Sequence, residues 1–234
     1  MNSFDSNAGT ASTPQDPFER IRSEMIATQL RRRGITDGDV LAAMGSVRRE
    51  NFVPAELRGR AYEDAPLPIG ENQTISQPYI VAAMTAALRL RAGERVLEVG
   101  SGCGYQAAIL ASLAGEVFAV EWRSQLAQEA SERLKRLHFN VSVHCGDGTL
   151  GLPQHAPFDA ILIAAAAPAV PPPLLEQLSE GGRMVVPVGD IKNQELRLIE
   201  RVHGTFRTIM LESFRFVPLI GVHGWKESAL DERP

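Results

Sequence analysis

The 234-residue sequence predicts an α/β fold: a doubly wound, Rossmann-like sheet, mostly parallel, with antiparallel strands at its C-terminal end and helices ahead of it. Three observations carry that expectation. From Glu94 onward short apolar runs alternate with helical segments, the pattern of parallel strands joined by crossovers. One of these runs, 95–99, passes straight into the glycine-rich turn Gly100-Ser101-Gly102-Cys103-Gly104 and then a helix. The last two runs, 196–202 and 208–218, read as a strand pair that ends the sheet in antiparallel fashion. A hydrophobic content of 44% is ample for one large core.

In chain order, residues 1–17 are rich in Ser, Asn, Thr, Asp and Pro and cannot bury enough apolar surface to order themselves, so a disordered extension is expected. Helical spacing begins at Phe18, with Ile21, Met25, Ile26 and Leu30 on one face and an exit at Gly34. A short helix follows from Thr36 or Asp37, ahead of Val40, Leu41 and Met44. Pro54, Pro66, Pro68 and Gly70 then mark a long irregular stretch. Ser76-Gln77-Pro78 is a helix entry, with Ser76 as N-cap and an apolar face of Ile80, Met84, Ala87 and Leu88. Candidate strands are 95–99, 116–121, 141–144, 158–164 and 183–188; helices 105–114 and 124–138 separate the first three, and the run after Pro171 supplies another crossover. The division this implies is one domain over 18–224, with a helical N-terminal part (18–75), a cofactor-binding core (76–224), and a flexible tail at 225–234.

Bulk properties remove several function classes. A net charge of −4 gives no broad basic field, so nucleic acid is disfavoured as a partner. Cys103 and Cys145 cannot build a disulfide framework, which fits a reducing cytoplasm. No apolar stretch approaches the roughly 18 residues that span a bilayer, so no membrane association is expected. The five histidines are scattered without ligand spacing, so no metal is expected either.

The turn after 95–99 carries the chemistry. Its glycines, Gly100, Gly102 and Gly104, are spaced differently from a dinucleotide fingerprint, whose third glycine stands three positions after the second. With Glu98 two positions before the first glycine, the spacing favours S-adenosylmethionine over NAD: a loop without a pyrophosphate to cradle must wrap an amino acid and a ribose. Glu98 suits the ammonium end of that cofactor. Glu121 ends the next strand, close to the roughly 20-residue separation at which such folds place a ribose-binding carboxylate. In Gly146-Asp147-Gly148, after the third strand, Asp147 is a candidate for the adenine amino group. Each of these alone also reads as a turn residue or a solvated strand end; their order is what points to a cofactor site. Trp122 either stacks beside the adenine or is a partly packed surface aromatic.

With those residues in hand, the sequence resembles the protein-L-isoaspartate O-methyltransferases. The resemblance rests on Gln73-Thr74-Ile75-Ser76-Gln77-Pro78, the run from Val96 to Tyr105, Gly146-Asp147-Gly148, Phe158-Asp159-Ala160-Ile161, Gly181-Gly182, Val186-Pro187-Val188-Gly189 and Arg215-Phe216-Val217-Pro218-Leu219, in that order. It implies a methyltransferase sheet and transfer of a methyl group from S-adenosyl-L-methionine to the α-carboxyl of L-isoaspartyl residues in damaged proteins and peptides, with S-adenosyl-L-homocysteine as product. It also implies Ser76 as the active-site residue, with Thr74 and Ile75 lining the cofactor cavity beside it. The chain is expected to act as a monomer.

That chemistry agrees with the residues. A carboxylate is ionised at pH 7 and needs no general base, and a neutral hydroxyl can orient it without over-stabilising the ground state. A pure N-cap role for Ser76 is the competing reading. The small residues Ala165, Ala166 and Ala167, with Pro168, leave room for a peptide backbone at the carboxyl edge of the sheet, and Val217 and Pro218 are candidates for the substrate wall, Pro218 equally for a turn. Two departures from the family pattern are Ala164, where Thr or Gly is common, and Cys103, where Ser or Thr is common; Cys103 is read as a small space-filler. A methyltransferase for another carboxyl, and a silent module that keeps only the cofactor, are the alternatives.

Overall fold

In the computed structural model, which describes residues 16–227, the first placed side chain is already tied down. The Asp16 carboxylate accepts from the Phe18 backbone N–H at 3.0 Å and pairs with Arg22 at 2.7 Å. Asp16 and Pro17, the last two residues of the expected extension, are thus placed against the body of the protein; residues 1–15 lie outside the described residues.

Helix α1 (Glu19–Met25) continues through one wide turn at Ile26–Leu30 and a tight turn at Arg31–Arg33, ending at Gly34 with φ +92°. Helix α2 (Gly38–Ser46) starts at Asp37, whose carboxylate accepts from the N–H groups of Asp39 and Val40, each at 3.0 Å. The stretch read as irregular contains a hairpin, strands β1 (Leu67–Gly70) and β2 (Gln73–Ile75). Glu71 and Asn72 between them both have positive φ, 51° and 56°, the backbone of a two-residue hairpin turn. Leu67, Ile69 and Ile75 face inward from it.

Helix α3 (Pro78–Leu88) follows directly. Its N-cap is Gln77 and no side chain caps it, which corrects the expectation for Ser76: the helix begins one residue too late for the Ser76 hydroxyl to serve it. Tyr79, Ile80, Val81, Met84 and Leu88 are all buried, because α3 is sandwiched between the sheet and the N-terminal helices.

The core then alternates β3 (Arg95–Val99), α4 (Tyr105–Ala111), β4 (Glu116–Glu121), α5 (Ser124–Arg136), β5 (Val141–Cys145), β6 (Phe158–Ile163), α6 (Pro172–Glu176), β7 (Leu178–Gly189), β8 (Gln194–Val202) and β9 (Thr205–Phe214). Seven strands form one sheet in the order β5-β4-β3-β6-β7-β8-β9; β3 to β7 are parallel, and β8 and β9 are antiparallel to their neighbours. Because β3 and β6 are adjacent while the chain first runs outward to β5, the strand order reverses between them. Open α/β sheets bind ligands at such a switch point, outside the carboxyl ends of the strands. Strand β7 starts five residues earlier than the apolar run suggested: Gly181 and Gly182 sit in a bulge where pairing to β6 jumps from Leu178 to Arg183.

The chain beyond β9 returns to the sheet. Leu219 N–H donates to Ala166 O at 2.8 Å, and the Trp225 indole Nε1–H donates to the same oxygen at 3.0 Å. Trp225 therefore belongs to the folded body, not to a tail; residues 228–234 lie outside the described residues. Among the described residues no helix is long and apolar enough to cross a membrane.

Candidate active site

The carboxyl ends of β3, β4 and β6, the hairpin–α3 junction and the returning C-terminal segment enclose a cleft of about 920 Å³, part of it open to solvent. Of the residues singled out from sequence, Thr74, Ile75, Ser76, Glu98, Gly100, Gly102, Glu121, Trp122, Gly148, Ala165, Val217 and Pro218 line it. Segments up to 147 residues apart in sequence, from Gln73 to Ile220, thus meet on one cavity.

The glutamates differ sharply. Glu121 accepts from the Gly102 N–H at 2.8 Å through one oxygen and from the Arg123 N–H at 2.9 Å through the other, so it holds the glycine loop in place and keeps lone pairs for ligand hydroxyls. Glu98 is fully buried and neither of its oxygens has a hydrogen-bond partner. Burial, and then the Glu121 charge, push its carboxyl well above the usual carboxylate range. An unpartnered acid in a cleft wall is costly unless a cation or donor meets it, and a ligand ammonium has the required charge. The donor set therefore fits S-adenosylmethionine: a pair of hydroxyl acceptors at Glu121 and an anionic counterpart at Glu98.

Two glycines are fixed by packing. A Cβ at Gly148 would lie 2.5 Å from Val99 Cγ1, so only glycine lets this loop approach β3. Gly104, with φ +86°, does not line the cleft; a Cβ there would lie 3.0 Å from Leu134 Cδ1, and its place is in the contact between the loop and α5.

Four more expectations need correction. Asp147 stands beside the cleft, but its carboxylate is engaged within the chain: one oxygen accepts from Thr149 N–H and Oγ1–H at 2.9 and 2.6 Å, the other from Val222 N–H at 2.8 Å. It fastens the C-terminal segment and is not among the residues that line the cleft. Ala166 and Ala167 are buried behind that segment, with backbone groups bonded to Val217, Leu219, Pro187 and Gly189. Pro168 is exposed outside the cleft. Only Ala165, with its neighbour Ala164, presents a methyl to the cavity.

Sequence reasoning missed Gln73, Ser101, Tyr105 and Gln106, and the apolar wall of Ile80, Val81, Met84, Leu219 and Ile220. Ile80 and Met84 belong both to the core and to this wall. The overlooked signal was Gly70-Glu71-Asn72, a hairpin turn that carries Gln73 to Ser76 over the glycine loop. Cys103 lines the cleft with its thiol pushed up by burial, so it stays protonated near neutral pH.

A sheet with this switch point, a glycine loop leaving β3 and glutamates ending the pathway of two adjacent strands define a class I S-adenosylmethionine-dependent methyltransferase. Within that class, residues 20–224 match the family model of protein-L-isoaspartate(D-aspartate) O-methyltransferase (PCMT), and the chain belongs to that family. It is 52% identical over 212 residues to a protein-L-isoaspartate O-methyltransferase of Methanoculleus marisnigri, covering 90% of this chain and 96% of the relative. A relative of the same name from Roseiflexus castenholzii is 53% identical over 217 residues, 92% of this chain and 99% of the relative. Among solved structures, a protein-L-isoaspartate O-methyltransferase superposes with TM-score 0.78 at 29% identity, over 87% of this chain and 67% of the other. A PCMT from Plasmodium falciparum in complex with S-adenosyl-L-homocysteine superposes with TM-score 0.75 at 25% identity, over 88% and 99%.

Proposed function

We propose that this chain repairs damaged proteins by transferring a methyl group from S-adenosyl-L-methionine to the α-carboxyl of L-isoaspartyl residues, with Ser76 orienting that carboxylate. The observation that carries the reading is the pairing of two features in one cleft: a buried, unpartnered acid near the end of β3, and a serine that follows the hairpin into the same cleft. When bound, the cofactor supplies an electrophilic sulfonium methyl.

The residues then divide the work. Glu98 takes the cofactor's ammonium group and Glu121 its ribose hydroxyls, while Thr74 and Ile75 close over it and Trp122 borders the adenine. The Ser76 hydroxyl gives the incoming carboxylate one hydrogen bond, which fixes the line of attack while leaving the reacting oxygen free. Ala165, Val217 and Pro218 form a small, apolar wall against a peptide backbone. Excluding water there favours a step in which opposite charges cancel.

In the same reading the enzyme works as a monomer in a reducing cytoplasm, without nucleic acid, on residues 18–224 as one domain. Both cysteines are free. The test is methylation of an isoaspartyl peptide against its aspartyl twin. Labelling of the isoaspartyl peptide alone is expected, and labelling of both or neither overturns the assignment.

A further inference from the structure

Among the described residues Arg49 is one of the largest fully buried side chains, and it sits immediately behind Ser76. Its Nε–H donates to Ala61 O and its Nη2–H to Ser76 O, both at 2.7 Å. Its guanidinium carbon lies 4.8 Å from the centroid of the Tyr105 ring, and Tyr105 also faces the cleft. Nη1 has no partner, and among the described residues no carboxylate pairs with the guanidinium. The adjacent Glu50 is turned away: it accepts from Tyr62 Oη at 2.5 Å and lies 4.0 Å from Arg22.

A buried cation without a counter-ion costs stability, and a glutamine could satisfy two carbonyls without that cost. The charge therefore needs another use, and the cleft supplies one. Glu98 and Glu121 line it together with Arg123, whereas the segment that carries Ser76 into it is backed by the Arg49 guanidinium, whose pKa burial lowers without removing its charge near neutral pH. A cationic cofactor is drawn to the glutamates and an anionic substrate to the Ser76 segment. We infer that Arg49 is a positioning residue: it fixes the Ser76 backbone by its carbonyl and attracts the substrate carboxylate through the wall without touching it. Attraction from behind raises affinity for the acid yet leaves its oxygen free to react, which a direct Arg clamp would not.

This inference rests on the assignment of Ser76 to the substrate carboxylate, so the experiment tests both separately. In the full chain, Arg49→Gln, Arg49→Lys and Ser76→Ala are compared for KM and kcat with an isoaspartyl peptide, and for S-adenosylhomocysteine affinity by calorimetry. R49Q is expected to raise peptide KM about tenfold or more with cofactor affinity within twofold of wild type, and R49K to recover most of the loss. Unchanged KM in R49Q, or R49K as impaired as R49Q, overturns the role of the charge; parallel loss of cofactor affinity overturns it in favour of simple support. If R49Q does not fold, competition on the wild type decides: an isoaspartyl peptide should inhibit at least tenfold better than its neutral isoasparaginyl analogue, and equal inhibition contradicts the inference. An S76A variant with the KM and kcat of the wild type would instead remove the underlying assignment.

Discussion

The two halves of the cleft are built in different ways. The cofactor half is made of strand ends: Glu98 and Glu121 are placed by the parallel register that pairs Glu98 with Ala119 and Val99 with Val120, and the glycine loop follows without interruption. The substrate half is assembled from a three-residue strand, a helix entry, an extended loop and a returning C-terminal segment, which bond to one another through backbone groups and through Arg49, Asp147 and Trp225. Regular hydrogen-bond ladders give the first half its precision, whereas single side-chain ties give the second half its shape. A lesion in the first should therefore appear as lost binding, and one in the second as lost positioning.

The largest expected effect lies in the substrate half. Ser76→Ala should lower kcat on the order of 100-fold, the scale of a lost orienting contact, as read by initial-rate methylation. Next is Glu121→Ala, which removes acceptors for ligand hydroxyls and frees two N–H groups of the loop. Hydrogen bonds to charged groups contribute roughly 1.5–3 kcal/mol each, so S-adenosylhomocysteine affinity should fall at least tenfold in calorimetry. Equal affinity would reassign that strand end.

Glu98 sharpens the contrast through pH. Its folded pKa is raised, so without cofactor the stability tied to its protonated form is complete below its ordinary value of 4.5 and is lost as pH rises through the raised value. Glu98→Gln should therefore make the cofactor-free protein more stable at pH 8 than the wild type in thermal melts, while weakening cofactor binding about tenfold. Wild-type binding should also release protons, seen as a dependence of calorimetric heat on buffer. A variant no more stable than the wild type at pH 8 would show the acid has an uncounted partner.

The smallest effect is expected at Asp147. Asp147→Ala breaks the bond that fastens Val222 of the C-terminal segment and two that hold Thr149, so peptide KM should rise a few-fold and stability fall by about 1–3 kcal/mol in denaturant titration. A change confined to cofactor affinity would instead return Asp147 to the adenine.

The same contrast explains what the sequence disclosed. Strands β3 and β4 were legible to the residue, because buried parallel strands read as largely apolar runs, here bounded by the glycine turn after Val99 and by Glu121. The substrate half was legible only as residues, not as structure. The β1–β2 hairpin has too few residues for a period-two pattern and its turn uses Glu71 and Asn72 instead of the usual Asn-Gly, so it passed for loop. Ser76 followed by Gln77 and Pro78 resembles a capped helix start, yet Gln77 takes that position. Asp147, Ala166 and Trp225 are set by a return of the chain that local patterning does not encode.

The division between the halves is tested most directly by titrating S-adenosylhomocysteine into wild type, S76A, E121A and the double variant. The account predicts that S76A binds as the wild type does, and that E121A and the double variant share one weakened affinity. A loss of affinity in S76A matching its loss of turnover would contradict it.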